Sequence, residues 1–316
     1  MHPATRRRRG ALAAALAAAV VCLVAAGRAA EKPSAGLAAR YPADKGIDRD
    51  PAVLLHEDFE DAEKVFDRKR WSAVSNKNAA LKLVTAPADV HGGKQALQIT
   101  ATLGRNTGGH LFRRFADGQE KMHARFCVKF AADCDYIHHF VTMVAELPAT
   151  PWPTGGAGLR PAGDRKFSIG IEPWGQWGKY PPPGGWHFYN YWWKMPRSRD
   201  GKFWGQGPDK DAYAVPQRGK WYCVEFLAAC NTPGKPDGQL ALWIDGKKLI
   251  HHKDINWRSD EKLKLNAFWL MLYVTDRWTK HPANTVWFDD IVVATDYIGP
   301  PVRASVGGGA RGKPRR

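Results

Sequence analysis

The sequence predicts an all-β protein, built as a two-sheet antiparallel sandwich. Helical periodicity is nearly absent, and short runs alternate apolar and polar residues instead. Gly, Pro, Asp and Asn separate these runs, as turns between short strands require. Each alternating run can bury one face and leave the other for water or a ligand. Neither a linker nor a repeat interrupts residues 51–300, so we predict a single domain there.

Eight runs carry the strand prediction. They are ALQITATL (96–103), MHARFCVKF (122–130), FSIGIEPW (167–174), WHFYNYWW (186–193), WYCVEFLAA (221–229), QLALWIDG (239–246), AFWLMLYVT (267–275) and TVWFDDIVVA (285–294). ADGQEK, KPDGQ and IDGKK carry Asp-Gly pairs, which are typical of tight turns. The pattern therefore predicts strands joined by short connections.

The N-terminus has the composition of a signal peptide. Four arginines precede an Ala/Val/Leu run that ends in small residues, and we predict cleavage after Ala29. The alternative is a retained membrane anchor, although the run is short and only mildly apolar for a span. TRRRRGAL also weakly resembles a twin-arginine signal. We expect residues 1–29 to be removed, residues 30–50 to form an N-terminal extension, and the mature protein to be secreted or periplasmic without a membrane anchor.

The formal net charge of +16 is concentrated at the two ends of the chain. Basic residues of the signal peptide and of the tail account for much of it: Arg6, Arg7, Arg8, Arg9, Arg28, Arg303, Arg311, Lys313, Arg315 and Arg316. Residues 301–316 are Gly-rich and basic, so we predict a disordered tail. Elsewhere Lys and Arg are scattered, which argues against nucleic acid and favours an acidic extracellular polymer as partner. We expect a monomer.

Four cysteines remain after the signal peptide, in two similar contexts, RFCVKFAADC and WYCVEFLAAC. An exported protein can hold disulfides. If the two segments are antiparallel neighbours, Cys127–Cys230 with Cys134–Cys223 is the easier pairing, because a Cys127–Cys134 bridge would need a turn within one strand. Four reduced, buried thiols are the alternative. Neither a C-x-x-C pair nor a Cys/His spacing indicates zinc.

Three segments resemble a known family. GKWYCVEFLAACNTPGKPDGQLALWIDGKKL (219–249) is similar to a strand pair of the concanavalin-A-like jelly rolls, and more narrowly to jelly-roll polysaccharide lyases that cleave alginate or glucuronan. LLHEDFED (54–61) and NTVWFDDIVVATDYIGP (284–300) look like the beginning and end of such domains. The resemblance implies a jelly roll that acts on carbohydrate. Where those lyases have a glycine-rich segment with a lysine, this chain has DYIHHFVTMVAELP (135–148), so no catalytic lysine is carried over.

The segment GGWHFYNYWWKM (184–195) is dense in aromatic residues. As a strand it places His187, Tyr189, Tyr191 and Trp193 on one face, with Asn190 on the other. Seven of the fourteen tryptophans lie between Trp152 and Trp204, among Gly/Pro loops. Indole rings stack on the C–H faces of a sugar, and polar tips bind its hydroxyls. We interpret the region as a carbohydrate groove, the alternative being an aromatic core under a long loop.

The chemistry of a lyase suggests roles for these residues. A lyase must neutralise a uronate carboxylate, remove the proton from the carbon next to that carboxylate, and protonate the leaving oxygen. Asn, Arg or His can neutralise the carboxylate, and His or Tyr can carry out the two proton transfers. Tyr191 is the predicted proton donor, and Tyr189 or a histidine the base. Since neighbouring strand residues face opposite ways, only one of His138 and His139 can reach the groove, and we prefer His139. The full candidate set is Tyr191, Tyr189, His139 and His187 for catalysis, with Asn190, Trp193, Trp174, Trp177, Arg125 and Arg165 for substrate binding.

The sequence thus favours an exported polysaccharide lyase that cleaves a uronate-containing polysaccharide by β-elimination. One alternative is a non-catalytic carbohydrate-binding domain of the lectin or laminin-G kind. A glycoside hydrolase is a weaker alternative, because it needs two positioned carboxylates. Glu172, Glu225 and Asp245 are isolated acids, and no strand carries a Glu-x-Asp-x-Glu pattern.

Acidic residues at both ends of the domain suggest a structural Ca²⁺. HEDFED (56–61) and FDDIVVATD (288–296) belong to the predicted first and last strands, which are commonly neighbours in jelly rolls of the resembled kind. Converging carboxylates would repel one another unless a cation joined them, and Ca²⁺ prefers oxygen ligands. Asp58 and Asp290 are the first candidate ligands. In the alternative, these acids cap turns and face water separately.

Overall fold

The computed structural model describes residues 35–75, 79–152 and 156–302, and it confirms the all-β prediction. Two antiparallel sheets form a jelly-roll sandwich. The strands are β1 Val53–Glu57, β2 Ala73–Ser75, β3 Leu81–Val84, β4 Ala96–Thr102, β5 Gly108–Gln119, β6 Lys121–Phe130, β7 Val141–Glu146, β8 Lys166–Trp174, β9 Gly185–Tyr191, β10 Trp221–Ala229, β11 Gly238–Ile244, β12 Lys247–Ile255, β13 Leu265–Tyr273 and β14 Ala283–Ala294. Of the signal peptide and tail predictions, residues 1–34 and 303–316 lie outside the described residues.

Helical structure in the described ranges is limited to five short 3-10 turns. These are Leu37–Arg40, Pro42–Asp44, Ile47–Arg49, Pro87–Asp89 and Gln176–Gly178. None of the helices in the described part of the chain is long and apolar enough to cross a membrane.

The two sheets differ in size. The eight-stranded sheet has the order β12-β11-β10-β6-β14-β4-β3, and the six-stranded sheet has the order β2-β5-β13-β7-β8-β9. In the larger sheet β1 pairs with the C-terminal half of β14, while β4 pairs with its N-terminal half. The first and last strands are therefore neighbours, as predicted.

The core lies between the inner faces of the two sheets. On β6 the side chains of Ala124, Phe126 and Val128 point inward and are fully buried, and the residues between them point outward. Phe140, from the segment before β7, packs on Phe288 of β14 with ring centroids 5.0 Å apart. Burial of this apolar area is the main favourable term in the stability of the sandwich.

All eight predicted runs form strands, and six further strands lie outside those runs: β1, which falls in the predicted first-strand region, and β2, β3, β5, β7 and β12. The chain does turn inside the predicted segment ADGQEK, at Glu120, but the Asp-Gly pair itself belongs to β5, which continues to Gln119. Asp117 and Gly118 lie instead where the pairing of β5 with β13 shifts register. Glycine suits such a bulge as well as it suits a turn, so the dipeptide alone does not distinguish the two.

Residues 35–50 lie against the outer face of the eight-stranded sheet. Leu37, Ile47 and Ile298 form a small apolar cluster with Val292 and Ala294 of β14. Beside them the guanidinium of Arg125 forms an ion pair with Asp44, and both side chains are almost fully buried. The N-terminal segment and the chain after β14 therefore cover the part of this outer face around Arg125.

Among the cysteines that the structure describes there is one disulfide, and the predicted pairing was wrong. Cys127 and Cys223 are bonded, whereas Cys134 and Cys230 are free. The two segments are antiparallel neighbours as supposed, but the register places Cys127 directly opposite Cys223. The sequence does not specify this register, because residues outside the two cysteine segments align the strands.

Candidate active site

The outer face of the six-stranded sheet carries the predicted strand residues, and we call it the aromatic face. Its register places Ser168 opposite Tyr191, Gly170 opposite Tyr189, and Glu172 opposite His187. Directly opposed residues in an antiparallel pair point to the same side of the sheet. Because Gly170 has no side chain, no neighbouring side chain on β8 stands directly opposite the ring of Tyr189. Two cavities, of about 240 and 320 Å³, lie away from this face.

Tyr189 and Tyr191 form a hydroxyl pair on the aromatic face, with 3.3 Å between their oxygens. The ring of Tyr189 lies 5.1 Å from the ring of His139, measured between centroids. His139 in turn hydrogen-bonds Glu172, with 3.2 Å between Nδ1 and Oε2. The structure therefore brings three of the four predicted catalytic side chains into one neighbourhood, with Glu172 added.

Burial sets the protonation of two members of this group. Burial raises the pKa of Glu172, while its hydrogen bond with His139 opposes that shift. Burial also raises the pKa of Tyr189, and the hydrogen bond with Tyr191 adds to the shift. The Tyr189 phenol therefore keeps its proton at neutral pH and is suited to donate a hydrogen bond. It is poorly suited to act as a base.

The alternation expected for His138 and His139 was wrong. Their rings stack on each other with centroids 4.1 Å apart, and both backbone N–H groups donate to the carbonyl of Tyr273. This segment lies outside the continuous strands, so the rule that neighbours face opposite ways does not apply. Burial lowers the pKa of His138 to about 3, which makes it neutral. His139 is the one that reaches Glu172 and Tyr189, as preferred.

A second group of rings on the aromatic face was not predicted from sequence. Trp152 and Trp269 meet edge to face with centroids 4.7 Å apart, and His110 lies 4.5 Å from Trp152. Tyr273, from the same strand as Trp269, stacks on His139 with ring centroids 5.7 Å apart. The alternation of AFWLMLYVT already places Trp269 and Tyr273 on one side of their strand, so the signal was present.

His187 and the two predicted tryptophans cluster at the far end of β9. His187 is buried, its Nε2 lies 3.1 Å from the carbonyl oxygen of Asp209, and its ring is 5.0 Å from that of Trp174. Burial lowers its pKa, so it is held neutral. Trp177 is 82% exposed and contacts Trp174 edge to face. This end therefore offers an exposed ring for binding, and His187 is enclosed.

Asn190 and Trp193 do not lie with the two tyrosines. Asn190 is 1% exposed and points to the opposite side of β9, as the alternation requires. β9 ends at Tyr191, so Trp193 does not continue its alternation. The indole Nε1 of Trp193 instead donates to Oδ1 of Asn256, at 3.3 Å. The assignment of the buried Asn190 to substrate binding was therefore wrong, and so was the placement of Trp193 on the strand face of the tyrosines.

The two candidate arginines lie in different environments. Arg125 belongs to the eight-stranded sheet, where Asp44 and the carbonyls of Asp290 and Gly299 accept its hydrogen bonds. With an exposed fraction of 0% it cannot reach a polysaccharide, so its assignment to substrate binding was wrong. Arg165 precedes β8 at the Tyr191 end of the sheet, and its side chain is 64% exposed. Its Nε lies 3.7 Å from Oδ2 of Asp164, and this exposed pair leaves Arg165 accessible to solvent.

The two proposed calcium ligands have separate partners. Asp58 Oδ1 accepts a hydrogen bond from the N–H of Glu60 at 3.2 Å, and Asp290 Oδ2 lies 2.6 Å from Nδ1 of His91. Within the described ranges, the one group of three metal-type ligands is His91, Cys127 and Cys223. Its two sulfurs are already joined as a disulfide. Calcium binding stays a prediction.

Several solved structures of polysaccharide lyases share the fold of this chain. Alginate lyase vAL-1 from Chlorella virus aligns with a TM-score of 0.57 and 15% identity, over 77% of this chain and 99% of that chain. Endo-β-1,4-glucuronan lyase from the fungus Trichoderma reesei aligns with 0.53 and 18%, over 80% and 100%. A variant of alginate lyase Aly36B in complex with alginate tetrasaccharide aligns with 0.52 and 13%, over 79% and 99%.

These structural neighbours are jelly-roll polysaccharide lyases, as the sequence resemblance implied. No family model matches the chain. No curated protein sequence matches it either. At such low identity the likeness establishes the fold, and the chemistry must be argued from the aromatic face.

Proposed function

We propose that the protein is an exported polysaccharide lyase that cleaves a uronate-containing polysaccharide by β-elimination on the aromatic face. The observation that supports this most directly is the Tyr189–Tyr191 hydroxyl pair beside the His139–Glu172 pair. A proton donor and a candidate base thus lie together on an open face. The lyase fold of the structural neighbours supports the same reaction class.

The residues suit the two proton transfers of the reaction. A base removes the proton from the carbon next to the uronate carboxylate, those electrons form a C=C bond, and the C–O bond to the neighbouring sugar breaks. Tyr191 protonates the leaving oxygen. Tyr189 donates a hydrogen bond to the phenol of Tyr191 and positions it, because Tyr189 itself stays protonated. This assigns the base to His139 rather than to Tyr189.

Glu172 orients His139 for that role. When Glu172 is ionised it accepts a hydrogen bond from Nδ1–H of His139, which leaves Nε2 as the lone-pair nitrogen that can act as base. The substrate carboxylate still needs a positive or hydrogen-bonding partner. Arg165 is the remaining candidate among the two arginines, since Arg125 is enclosed.

An absorbance assay tests the proposal. The mature protein is incubated with alginate, glucuronan and pectin, and the ultraviolet absorbance of the new C=C bond is followed. Tyr191→Phe should lower the rate about 10²–10⁴-fold, as expected for loss of a general acid, without changing the thermal melt. Tyr41→Phe is the matched control, because Tyr41 bonds Asp50 in the N-terminal segment. Full activity in Tyr191→Phe would exclude Tyr191 as the acid.

A non-catalytic carbohydrate-binding protein is the second candidate function. It is favoured by exposed rings that can stack on sugars without any chemistry, above all Trp177. This alternative predicts retention on an immobilised polysaccharide with no absorbance change on any of the three polymers. Lyase activity on one polymer would exclude it.

A further inference from the structure

Two segments beside the Tyr191 end of β9 gather positive charge. Residues 156–165 and 192–204 together contain six basic and two acidic residues, a net charge of +4: Arg160, Arg165, Lys194, Arg197, Arg199, Lys202, Asp164 and Asp200. All six basic residues are exposed. Five of them form no ion pair with any residue that the structure describes, and Arg165 pairs with Asp164 at 3.7 Å. We call the surface that these two segments form the basic wall.

Contacts between the two segments make the basic wall one packed unit. The backbone N–H of Phe203 donates to the carbonyl oxygen of Gly158 at 3.0 Å. Gly163 lies against the indole ring of Trp193, where an added Cβ would come within 2.8 Å of the ring. A larger residue at that position would push the two segments apart. The packing of the backbone therefore fixes the positions from which the basic side chains project.

The ring of Phe203 holds two arginines, one from each segment. The guanidinium carbons of Arg160 and Arg197 lie 5.2 and 5.3 Å from the centroid of that ring. A guanidinium at such a distance is attracted by the negative face of an aromatic ring. The ring therefore keeps two like charges near each other at the surface, where they repel. An anion that contacts both arginines would relieve this repulsion.

The basic wall is continuous with the aromatic face. The backbone N–H and C=O of Asn190 pair with Gln206, at 3.1 and 3.0 Å, so the chain that follows the wall runs along the free edge of β9. Next to this pair, Gly205 lies against the ring of Tyr189, where an added Cβ would be 2.4 Å away. Phe203 precedes Gly205 by two residues, which is at most about 7 Å of chain. A polymer with one sugar at the tyrosines can therefore reach the wall with its neighbouring sugars.

We propose that the basic wall binds the carboxylates of the uronate units that neighbour the unit at the tyrosines. The preferred substrate is then a polymer that carries a carboxylate on successive sugars. This inference rests on the proposed function, because it takes the tyrosine pair as the reaction centre. A guanidinium matches the geometry of a carboxylate and can bind it through two parallel hydrogen bonds. Since the wall adjoins that centre, we favour a polyuronate over nucleic acid as the polyanion that it binds.

Titration calorimetry with glucuronan tests the basic wall, in a Tyr191→Phe background so that the polymer is not cut. Arg160→Gln combined with Arg197→Gln should weaken binding about tenfold or more, because two charged surface contacts are lost. Its affinity should also depend less on salt, since fewer charges remain to be screened. The melting temperature should not change. Arg49→Gln combined with Arg68→Gln is the matched control, because both arginines are exposed outside the wall, and it should bind glucuronan like the parent.

Two other polymers test the selection for successive carboxylates. Hyaluronan carries a carboxylate on every second sugar, so it should bind more weakly than glucuronan and lose less affinity in the double arginine variant. An equal loss for both polysaccharides would overturn this selection. Single-stranded DNA should also bind more weakly than glucuronan. Tighter binding of DNA that is lost in the same variant would make the wall a nucleic-acid surface and overturn the proposal.

Failure of the basic wall and failure of the lyase give different results. Wall-dependent binding of glucuronan without any absorbance of a new C=C bond would uphold the wall and reject the lyase. Cleavage by wild type with undiminished binding in the double arginine variant would reject the wall and leave the lyase in place. If that variant does not fold, Arg199→Gln combined with Lys202→Gln removes two other exposed charges of the wall and should weaken binding instead.

Discussion

The outer faces of the two sheets both carry alternating polar residues. The outer face of the eight-stranded sheet around Arg125 is covered by other segments of the chain and is called the covered face. The aromatic face of the six-stranded sheet is open to solvent and is called the open face. On the eight-stranded sheet, Arg125 is paired with Asp44, and His123 with Glu225, under the N-terminal segment and the chain after β14. On the six-stranded sheet, the tyrosine pair and His139 are partly open to solvent. A buried charge needs a partner, whereas an open polar group can serve a ligand. Polar residues that other segments bury are therefore structural, whereas polar residues that stay open to solvent are candidates for function.

The largest effect should come from breaking the buried ion pair on the covered face. Asp44→Ala leaves the Arg125 guanidinium buried without its carboxylate, which typically costs about 3–5 kcal/mol. The melting temperature should fall by roughly 6–20 °C, measured by calorimetry. Asp61→Ala is the control, since Asp61 pairs with Lys64 at the surface and should show no measurable change.

The same variant sharpens the comparison of the two faces. Asp44→Ala should retain full polysaccharide binding below its melting temperature, because Arg125 does not reach the aromatic face. If Asp44→Ala bound polysaccharide more weakly while its melting temperature was unchanged, Arg125 would belong to the ligand site, and the purely structural role of the covered face would be contradicted.

A smaller effect, on rate, should follow from Glu172→Gln on the open face. The substitution keeps the size of the side chain but removes the charge that holds His139, and hydrogen bonds to charged groups contribute about 1.5–3 kcal/mol. We expect kcat/KM to fall about 10–150-fold and its pH profile to change shape. Steady-state kinetics across pH measures both.

Glu146→Gln is the matched control for that experiment. Glu146 lies on the same sheet, but its carboxylate accepts hydrogen bonds from Arg114 and Thr150 and has no contact with His139. It should change stability without changing the shape of the pH profile. The same profile change in both variants would argue for a general electrostatic effect and against orientation of His139 by Glu172.

The smallest effect concerns pH and the covered face. Burial and the charge of Asp290 raise the pKa of Asp289, and hydrogen bonds from the backbone N–H groups of Gly92 and His91 oppose that shift. The folded state thus holds a proton that the unfolded chain has released. This contribution to stability is complete below the ordinary pKa of an aspartate, about 4, and is lost as the pH rises from there through the raised pKa of the folded state. We expect the melting temperature to fall by several degrees between pH 5 and pH 9, measured by calorimetry.

Asp289→Asn should flatten that dependence, because the amide stays neutral throughout. Burial also raises the pKa of Glu57 to about 7, so a shallower decline should remain in the variant. Asp164→Asn, at an exposed loop position, should leave the wild-type dependence intact. An identical pH dependence in wild type and Asp289→Asn would show that Asp289 is ionised in the folded protein.

Much of the fold was predictable because strand alternation is a local signal. The side chains of Tyr189 and Tyr191 were correctly placed on one side of their strand, and Asn190 on the other, from the period of two alone. Where the chain leaves regular structure the same rule failed, as it did for Trp193 beyond the end of β9 and for the stacked His138 and His139.

The sequence by itself determined the class of fold, the positions of eight strands and the aromatic character of one strand face. It could do so because neighbouring residues in a strand set these properties. Only the tertiary structure decided the register that joins Cys127 to Cys223, the covering of Arg125, and the meeting of Glu172 with His139. These contacts join residues from 33 to 96 positions apart. Such pairings depend on how loops and sheets pack around the whole core, and no local pattern of residues encodes them.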